Sequence, residues 1–474
     1  MNNEGKRYQA PTPNSAQQYP AADKIVHVNP LSSCKSIVID SSIGRIMSGS
    51  FEQSISKKEP DRDQIIRQLT QDEPVLTPTY WQGLIILPPA HKYTYDTKLK
   101  TGTIETNLTH LQDQHLFENQ DPFELIIEHI AKEHIKNKHD KLVVRFSGGV
   151  DSTCLLLAAI EVAGKDRVTA ITWFDEKCSA NNDRNTATAL CNTLEVNHIL
   201  FKLEPEDFFQ EVSPTDYFHI NSSMASEQVF RKEREFILAQ LGDEFIILDG
   251  HGGDHLFLDP VPSAAFQHLI RENRFFKGFN IAATIAKLTG SNLYQTLTRN
   301  RRQQHNETDQ LSYFFNKKFL PRRGAEKPKS LAEKHVQAIA QAVSQNAMST
   351  TLNKFGKIIY PFTSQKIIEY ALTQDPYSMF DESETRIPLK RAFRKKHPHI
   401  LLRRDKGHIT GAYQKSLKFH QKDIISKLRS SWMNKENIIN MPNIENSINR
   451  SAMGFGGVEK NLLNIICASL IKNR

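Results

Sequence analysis

The sequence predicts an α/β fold: a parallel β-sheet covered by helices on both faces, preceded by a smaller β-rich domain. Three observations predict it. Short apolar strands alternate with helical segments between Leu142 and Leu248, the rhythm of a parallel sheet. A Ser-Gly-Gly turn joins the first of these strands to the helix after it. From about Lys24 to Asn107 the pattern is instead short and β-like, with a hairpin signal around Lys98–Lys100.

Taken in order, residues 1–22 are rich in Gln, Asn, Pro and Ser and read as a disordered tail. Residues 23–120 read as the small β-rich domain. Its strand candidates are Ile37-Val38-Ile39, Gly83–Leu87, Tyr93–Tyr95 and Thr101–Ile104. A helix is predicted over Pro122–Asn137, because Phe123, Ile126, Ile127 and Ile130 recur at helical spacing. Strand Leu142–Val144 leads through Ser147-Gly148-Gly149 to a helix that ends at Gly164. Then come strand Val168–Phe174, helix Arg184–Leu194, strand His198–Phe201, helix Ser226–Leu241 and strand Phe245–Leu248. Beyond Pro262 the chain reads as mostly helical, with a basic loop over Thr298–Thr308. Residues 121–430 form the main domain and 431–474 a C-terminal helical tail.

The 474 residues suit more than one domain, and 39 % hydrophobic residues are enough for a large core. The net charge of +8 (61 basic against 53 acidic residues) invites a polyanionic or phosphate-bearing partner. Five cysteines, none at a two-residue spacing, argue against a zinc ribbon or a disulfide scaffold. The polar opening and the lack of any long apolar run lead us to expect a cytoplasmic protein without a membrane partner.

Ser147-Gly148-Gly149-Val150-Asp151-Ser152 carries the first chemistry. Glycines admit a close backbone approach, and the following helix N-terminus adds partial positive charge, so the segment is built for phosphate. The Ser147 and Ser152 hydroxyls can donate to phosphate oxygens. Asp151 suits such a site when Mg²⁺ bridges it to the phosphates. The bland alternative is an ordinary capped turn. The loop resembles that of the PP-loop ATP pyrophosphatases, and the chain has no Walker A motif. The resemblance implies an adenine nucleotide alpha hydrolase-like fold and cleavage of ATP between its α and β phosphates. It also implies adenine held by the backbone of Ile171, Thr172 and Trp173.

The second motif, Asp249-Gly250-His251-Gly252-Gly253-Asp254-His255-Leu256-Phe257, follows another strand of the same sheet. Strand ends of a parallel sheet open onto one edge. Asp254 can therefore reach the same phosphates as Asp151, and the two carboxylates are candidate Mg²⁺ ligands on the leaving pyrophosphate. A transition-metal site from His251, Asp254 and His255 is the rival, and a turn without ligand a third reading. Together the two motifs resemble the asparagine synthetase family. Gly252-Gly253 flanked by His251 and His255 is most similar to its lasso-peptide cyclases, whereas typical asparagine synthetases carry Glu at the place of His255.

The resemblance implies more. Lys406, in Arg403-Arg404-Asp405-Lys406-Gly407, matches the lysine that reaches the pyrophosphate and counters charge in the amide-forming transition state. Arg386, Lys390 and Arg391 are weaker candidates for phosphate or acidic-peptide contacts. Tyr80–Thr103 is similar to the end of a glutaminase domain, but Asn2 stands where that domain needs a nucleophilic cysteine. A degenerate domain that releases no ammonia is therefore expected. The implied activity is an ATP- and Mg²⁺-dependent ligase acting on a precursor peptide, with a leader-peptide protease as pathway partner. An ammonia-dependent asparagine synthetase, another small-molecule amide or β-lactam synthetase, and a tRNA-modifying PP-loop ATPase are the alternatives. Nucleic acid is the partner least compatible with the second motif.

Overall fold

The computed structural model describes residues 18–21, 23–29, 37–47, 55, 59–70, 79–87, 91–106, 120–137, 141–176, 183–213, 217–262, 265–298, 311–320, 330–346, 357–402, 410–455 and 457–471. Two antiparallel sheets come first. One has the order β1-β2-β6-β7, from β1 (Gln18–Ala21), β2 (Lys24–Asn29), β6 (His91–Asp96) and β7 (Thr101–Thr106). The other has the order β4-β3-β5, from β3 (Ile37–Asp40), β4 (Arg45–Ile46) and β5 (Leu84–Leu87). The predicted hairpin is β6–β7, with His91 opposite Thr106. Residues 18–21, inside the stretch read as a tail, pair with β2. Ile39, Leu87, Tyr93 and Tyr95 make the small core of these sheets.

A helix, α1 (Arg62–Thr70), interrupts this β-rich region and was not expected. Asp61 caps it by accepting the Gln64 N–H at 3.1 Å, and Ile65 and Leu69, one turn apart, are buried.

The main sheet is parallel throughout, in the order β10-β9-β8-β11-β12. Its strands are β8 (Lys141–Arg145), β9 (Val168–Phe174), β10 (Asn197–Lys202), β11 (Phe245–Leu248) and β12 (Lys357–Ile359). The last is not among the strands that the sequence predicts, since the chain beyond Pro262 reads as mostly helical. Alternate residues of β8, β9 and β11 enter opposite cores, as a period of two demands. Val143, Ile171, Phe245 and Ile247 join one cluster, while Leu142, Val144, Ala170, Ile246 and Leu248 join the other.

The second cluster holds α2 (Pro122–Asn137) and α3 (Val150–Ala163), with Phe123, Ile126 and Ile130 against Leu155 and Leu156. Next come α4 (Asp183–Leu194), α5 (Glu227–Leu241) and the short α6 (Gly253–Leu256). They are followed by α7 (Ala265–Arg271), α8 (Phe275–Leu288), α9 (Leu331–Asn346), α10 (Gln365–Thr373) and α11 (Ile387–Lys396). The chain continues with α12 (Thr410–Ser430), α13 (Trp432–Lys435), α14 (Met441–Ala452) and α15 (Lys460–Leu470).

The first cluster draws on distant parts of the chain. Ile65, Leu69, Tyr80 and Trp81 lie in it with Leu428, Ile438, Ile448 and Ile466. Backbone bonds stitch the same regions: Tyr80 N donates to Phe218 O at 3.0 Å, Val212 N to Leu470 O at 3.0 Å, and Asn440 N to Phe314 O at 2.7 Å. Of the loop expected over Thr298–Thr308, only Thr298 lies among the described residues. No described helix is long and apolar enough to cross a membrane.

Candidate active site

The carboxyl ends of β8 and β11 are neighbours in the sheet, and each releases one of the two motifs. After β8, Phe146 N still donates to Ile171 O at 2.8 Å, and the chain then turns at Gly148 with φ +72°. That positive φ favours glycine. Helix α3 begins at Val150 without a side-chain cap, so its first-turn amides have no partner inside the helix. The loop is braced internally. Ser152 Oγ donates to Gly149 O at 3.1 Å and lies 3.3 Å from Ser147 Oγ. A helix N-terminus and two hydroxyls on one concave turn are what a phosphate group needs.

After β11, Asp249 N donates to Ile359 O at 3.0 Å, which ties the second motif to β12. Gly252 has φ +98°, and a Cβ there would fall 2.7 Å from Thr363 Cγ2. Gly253 opens α6. A Cβ on Gly253 would lie 2.6 Å from both Cγ and Oδ1 of Asp151, and one on Gly250 would lie 3.3 Å from Asp151 Cβ. The glycines of the second motif thus make room for the carboxylate of the first. This is the physical link between two motifs about a hundred residues apart.

The two motifs enclose a cleft of about 310 Å³. Ser147, Gly149, Val150, Asp151 and Ser152 line it from one side, Gly250, His251 and Asp254 from the other. Gly148 turns away toward Thr186, and Gly252 and Gly253 support the wall from behind. Ile171, Thr172 and Trp173 are not in the lining. Ile171 and Thr172 are buried, Thr172 Oγ1 donates to Phe146 O at 2.6 Å, and the Trp173 indole donates to Glu233 Oε1 at 2.6 Å. Lys406 lies outside the described residues.

Three lining residues lie outside the two motifs and the basic candidates read from the sequence, Arg145, Asp259 and Thr385, and Asp249, which opens the second motif, is given no role by the sequence. Arg145, the last residue of β8, forks onto the fully buried Glu233 and donates to Asp249 Oδ2 at 2.8 Å. Burial alone would pull the Arg145 pKa down, but Glu233 and Asp249 push it up. Burial opposes ionisation of Asp249, and Arg145 nonetheless holds it below the usual carboxylate range. Arg386 bridges two more carboxylates, donating to Asp151 Oδ1 at 2.6 Å and pairing with Asp259 Oδ2 at 2.5 Å. Lys390 pairs with Glu384 at 3.4 Å, and burial lowers its pKa.

The histidines do not converge on a metal. His251 Nε2 lies 3.2 Å from Ala342 O, and a carbonyl only accepts, so Nε2 carries the hydrogen. Burial lowers the pKa of that ring. His255 Nδ1 sits 2.9 Å from Asp254 Oδ1. Among the described residues no group of three or more His, Cys, Asp or Glu side chains could hold an ion. The transition-metal reading therefore finds no ligand set there. Mg²⁺ makes a smaller demand: one or two carboxylates, with water and substrate phosphate completing the shell. Asp151 and Asp254, hard oxygen donors on facing walls of one cleft, fit that demand.

A family model described as Asparagine synthase matches residues 128–470. The chain belongs to the asparagine synthase family. No curated protein matches the chain.

Solved structures similar to this asparagine synthase family chain include a glutamine-dependent NAD⁺ synthetase from Acinetobacter baumannii in complex with ADP. That match has 12 % identity and TM-score 0.17, and covers 32 % of this chain and 23 % of that one. An NMN synthetase from Francisella tularensis has 14 % identity and TM-score 0.23, covering 30 % and 59 %. An NH₃-dependent NAD synthetase from Campylobacter jejuni, in complex with nitrate, has 13 % identity and TM-score 0.24, covering 40 % and 90 %. The chain spans less than two thirds of the first two of these structures. The asparagine synthase match begins within α2 and runs through α15, so it takes in both motifs and the C-terminal helices.

Proposed function

We propose that the protein is an ATP-dependent lasso-peptide cyclase. In this reading it adenylates an Asp or Glu side chain of a precursor peptide and then joins that carbonyl to the peptide's N-terminal amine. AMP and pyrophosphate leave. The observation that carries the reading is the meeting of the Ser147–Ser152 loop with Gly250–Asp254 in one cleft, with Asp151 nested against Gly253. The His-flanked Gly-Gly-Asp sequence supports the cyclase branch of the family.

In this reading the residues take the following roles. The N-terminus of α3 with Ser147 and Ser152 binds the phosphates. Asp151 and Asp254 would hold Mg²⁺, which when bound neutralises charge on the pyrophosphate leaving group. Arg145, fixed by Glu233 and Asp249, places a permanent positive charge on the cleft wall. Lys406 is assigned to the transition state of amide formation. In adenylation the substrate carboxylate attacks the α phosphorus and pyrophosphate leaves. The amine then attacks the acyl carbon, the bond to AMP breaks, and the amine gives up one proton. A peptide carrying both groups makes this second step intramolecular. The precursor peptide and a leader-peptide protease that frees its amine are the proposed partners.

A second reading is favoured by the family match itself: amide formation on a small carboxylate with ammonia or another simple amine. One experiment separates the two. The chain is incubated with ATP, Mg²⁺, the protease and a precursor peptide encoded beside it, and the products are analysed by mass spectrometry. Loss of one water from the peptide, with AMP and pyrophosphate released, is the expected result. An unchanged peptide alongside amidation of aspartate would favour the second reading, and ADP with phosphate as the only products would refute both.

A further inference from the structure

Arg386 stands where a cation would stand. Its Nη1 donates to Asp151 Oδ1 at 2.6 Å, its Nη2 pairs with Asp259 Oδ2 at 2.5 Å, and both carboxylates line the cleft. The side chain is only 7 % exposed, yet its Nε is buried without a hydrogen-bond partner. The backbone at Arg386 lies in the left-handed region, with φ 58° and ψ 34°, which a β-carbon disfavours. A strained backbone and an unsatisfied donor persist only where the surroundings over-determine them, and here the surroundings are the carboxylates. Burial works against the charge of Arg386, and Asp151, Asp259 and Asp254 together more than restore it.

Asp151 has little freedom to turn elsewhere, because the backbone of Gly250 and Gly253 lies against it. A divalent cation on Asp151 and the guanidinium on Asp151 therefore compete for one carboxylate. An arginine fork matches phosphate as well as it matches carboxylate, so phosphates entering the cleft offer the guanidinium an equivalent partner.

We propose that Arg386 is a resident counter-ion that fills the cation position at Asp151 and yields it when the phosphate oxygens of a bound nucleotide take up its guanidinium. Divalent-cation binding is thereby coupled to nucleotide binding. The proposal rests on the reading of Ser147–Ser152 as a phosphate site. By linkage the coupling is reciprocal: the cation tightens the nucleotide by the same factor.

The test uses Mn²⁺ as probe, with free Mn²⁺ followed by electron paramagnetic resonance on the full chain. Without nucleotide, Arg386→Gln should bind one Mn²⁺ at least tenfold more tightly than the parent, and adding Asp151→Asn to that variant should remove the gain. With α,β-methylene-ATP present, the parent should bind Mn²⁺ at least tenfold more tightly than without it, after subtraction of Mn²⁺ held by free nucleotide. Arg386→Gln should show a smaller enhancement. Equal Mn²⁺ affinity of parent and Arg386→Gln without nucleotide would overturn the proposal.

Should circular dichroism find Arg386→Gln unfolded, Asp259→Asn removes one anchor of the guanidinium and leaves Asp151 in place. That variant should bind Mn²⁺ a few-fold more tightly, and no change overturns the proposal equally. Calorimetry of the analogue alone stands apart: a parent that binds no α,β-methylene-ATP refutes the nucleotide reading, whatever the Mn²⁺ titration gives.

Discussion

Gly253→Ala is the most direct probe of how the two motifs fit. The backbone at Gly253 is ordinary helix, so alanine meets no conformational strain, and the helix itself would favour it. The difficulty is space. The new methyl would sit 2.6 Å from Asp151 Cγ and Oδ1, whereas ordinary contact begins near 3.4 Å. The carboxylate must retreat by about 0.8 Å (3.4 − 2.6), and its 2.6 Å bond from Arg386 moves with it. A displacement on the order of 1 Å at a catalytic group costs roughly a hundredfold in rate, or about 2.7 kcal/mol in the barrier. Overpacking adds about 1–3 kcal/mol of destabilisation. ATP-dependent pyrophosphate release with the precursor peptide measures the first, and thermal unfolding the second. Gly250→Ala is the control, since its methyl would come no nearer than 3.3 Å to Asp151 Cβ, with Ser152 N at 3.6 Å and Asp151 C at 3.7 Å, and should cost far less. Parental turnover in Gly253→Ala would refute the idea that this glycine exists to seat Asp151.

Four further outcomes are expected. Asp151→Ala and Asp254→Ala should each abolish adenylation, and pyrophosphate exchange at the parental rate by either would remove its assigned role. Lys406→Ala should lower single-turnover ring closure by roughly a hundredfold while ATP affinity, measured separately, changes little. Glu233→Gln leaves Arg145 short of a buried partner and should destabilise the fold by roughly 3–5 kcal/mol in denaturant unfolding, so an unchanged midpoint would contradict the buried pairing. His335, whose Nε2–H donates to Leu256 O at 2.7 Å, has its pKa pushed down by burial to about 4. The unfolded chain takes up that proton near pH 6.5 and the folded chain only near 4. Its contribution is thus complete above about 6.5 and is lost as the pH falls toward 4, on the order of 3 kcal/mol (about 2.5 pH units at 1.36 kcal/mol each). His335→Gln should flatten the acid limb of stability against pH, and an unaltered limb would exclude this histidine as its source.

The main sheet was legible because its strands are buried on both faces. Val168–Phe174 and Phe245–Leu248 are nearly unbroken apolar runs bounded by helices, and they appear where expected. Strand Lys357–Ile359 was hidden by its length, since three residues carry no period. Helix Arg62–Thr70 was hidden by its surroundings, because two buried residues one turn apart are a faint stripe amid strand signals.

The Ser147–Ser152 loop and the Gly-Gly-Asp turn stand out in the sequence because their glycines and acids are adjacent. The pairing of the charges that hold them does not. Arg145 finds Glu233 and Asp249 88 and 104 residues away, and Arg386 finds Asp151 across 235. Asp259 and Thr385 look like ordinary loop residues until the chain is folded. Arg145 left one clue, a charge closing the apolar run Leu142-Val143-Val144 at the mouth of the loop.

The cluster shared by Trp81 and Ile466 has a consequence for how the protein is made. Early in synthesis the ribosome has released Tyr80 and Trp81 but neither Tyr217 and Phe218, whose carbonyls they bond, nor the residues from α12 onward that share their cluster. The N-terminal sheets therefore cannot seal their side of the molecule during translation, and long-range closure of this kind is slow. Until α15 arrives, an aromatic surface waits in the open, available to chaperones and to other nascent chains. A stop codon a few residues before Leu462 would leave both motifs fully encoded but the interior unfinished, a product destined for proteolysis or aggregation.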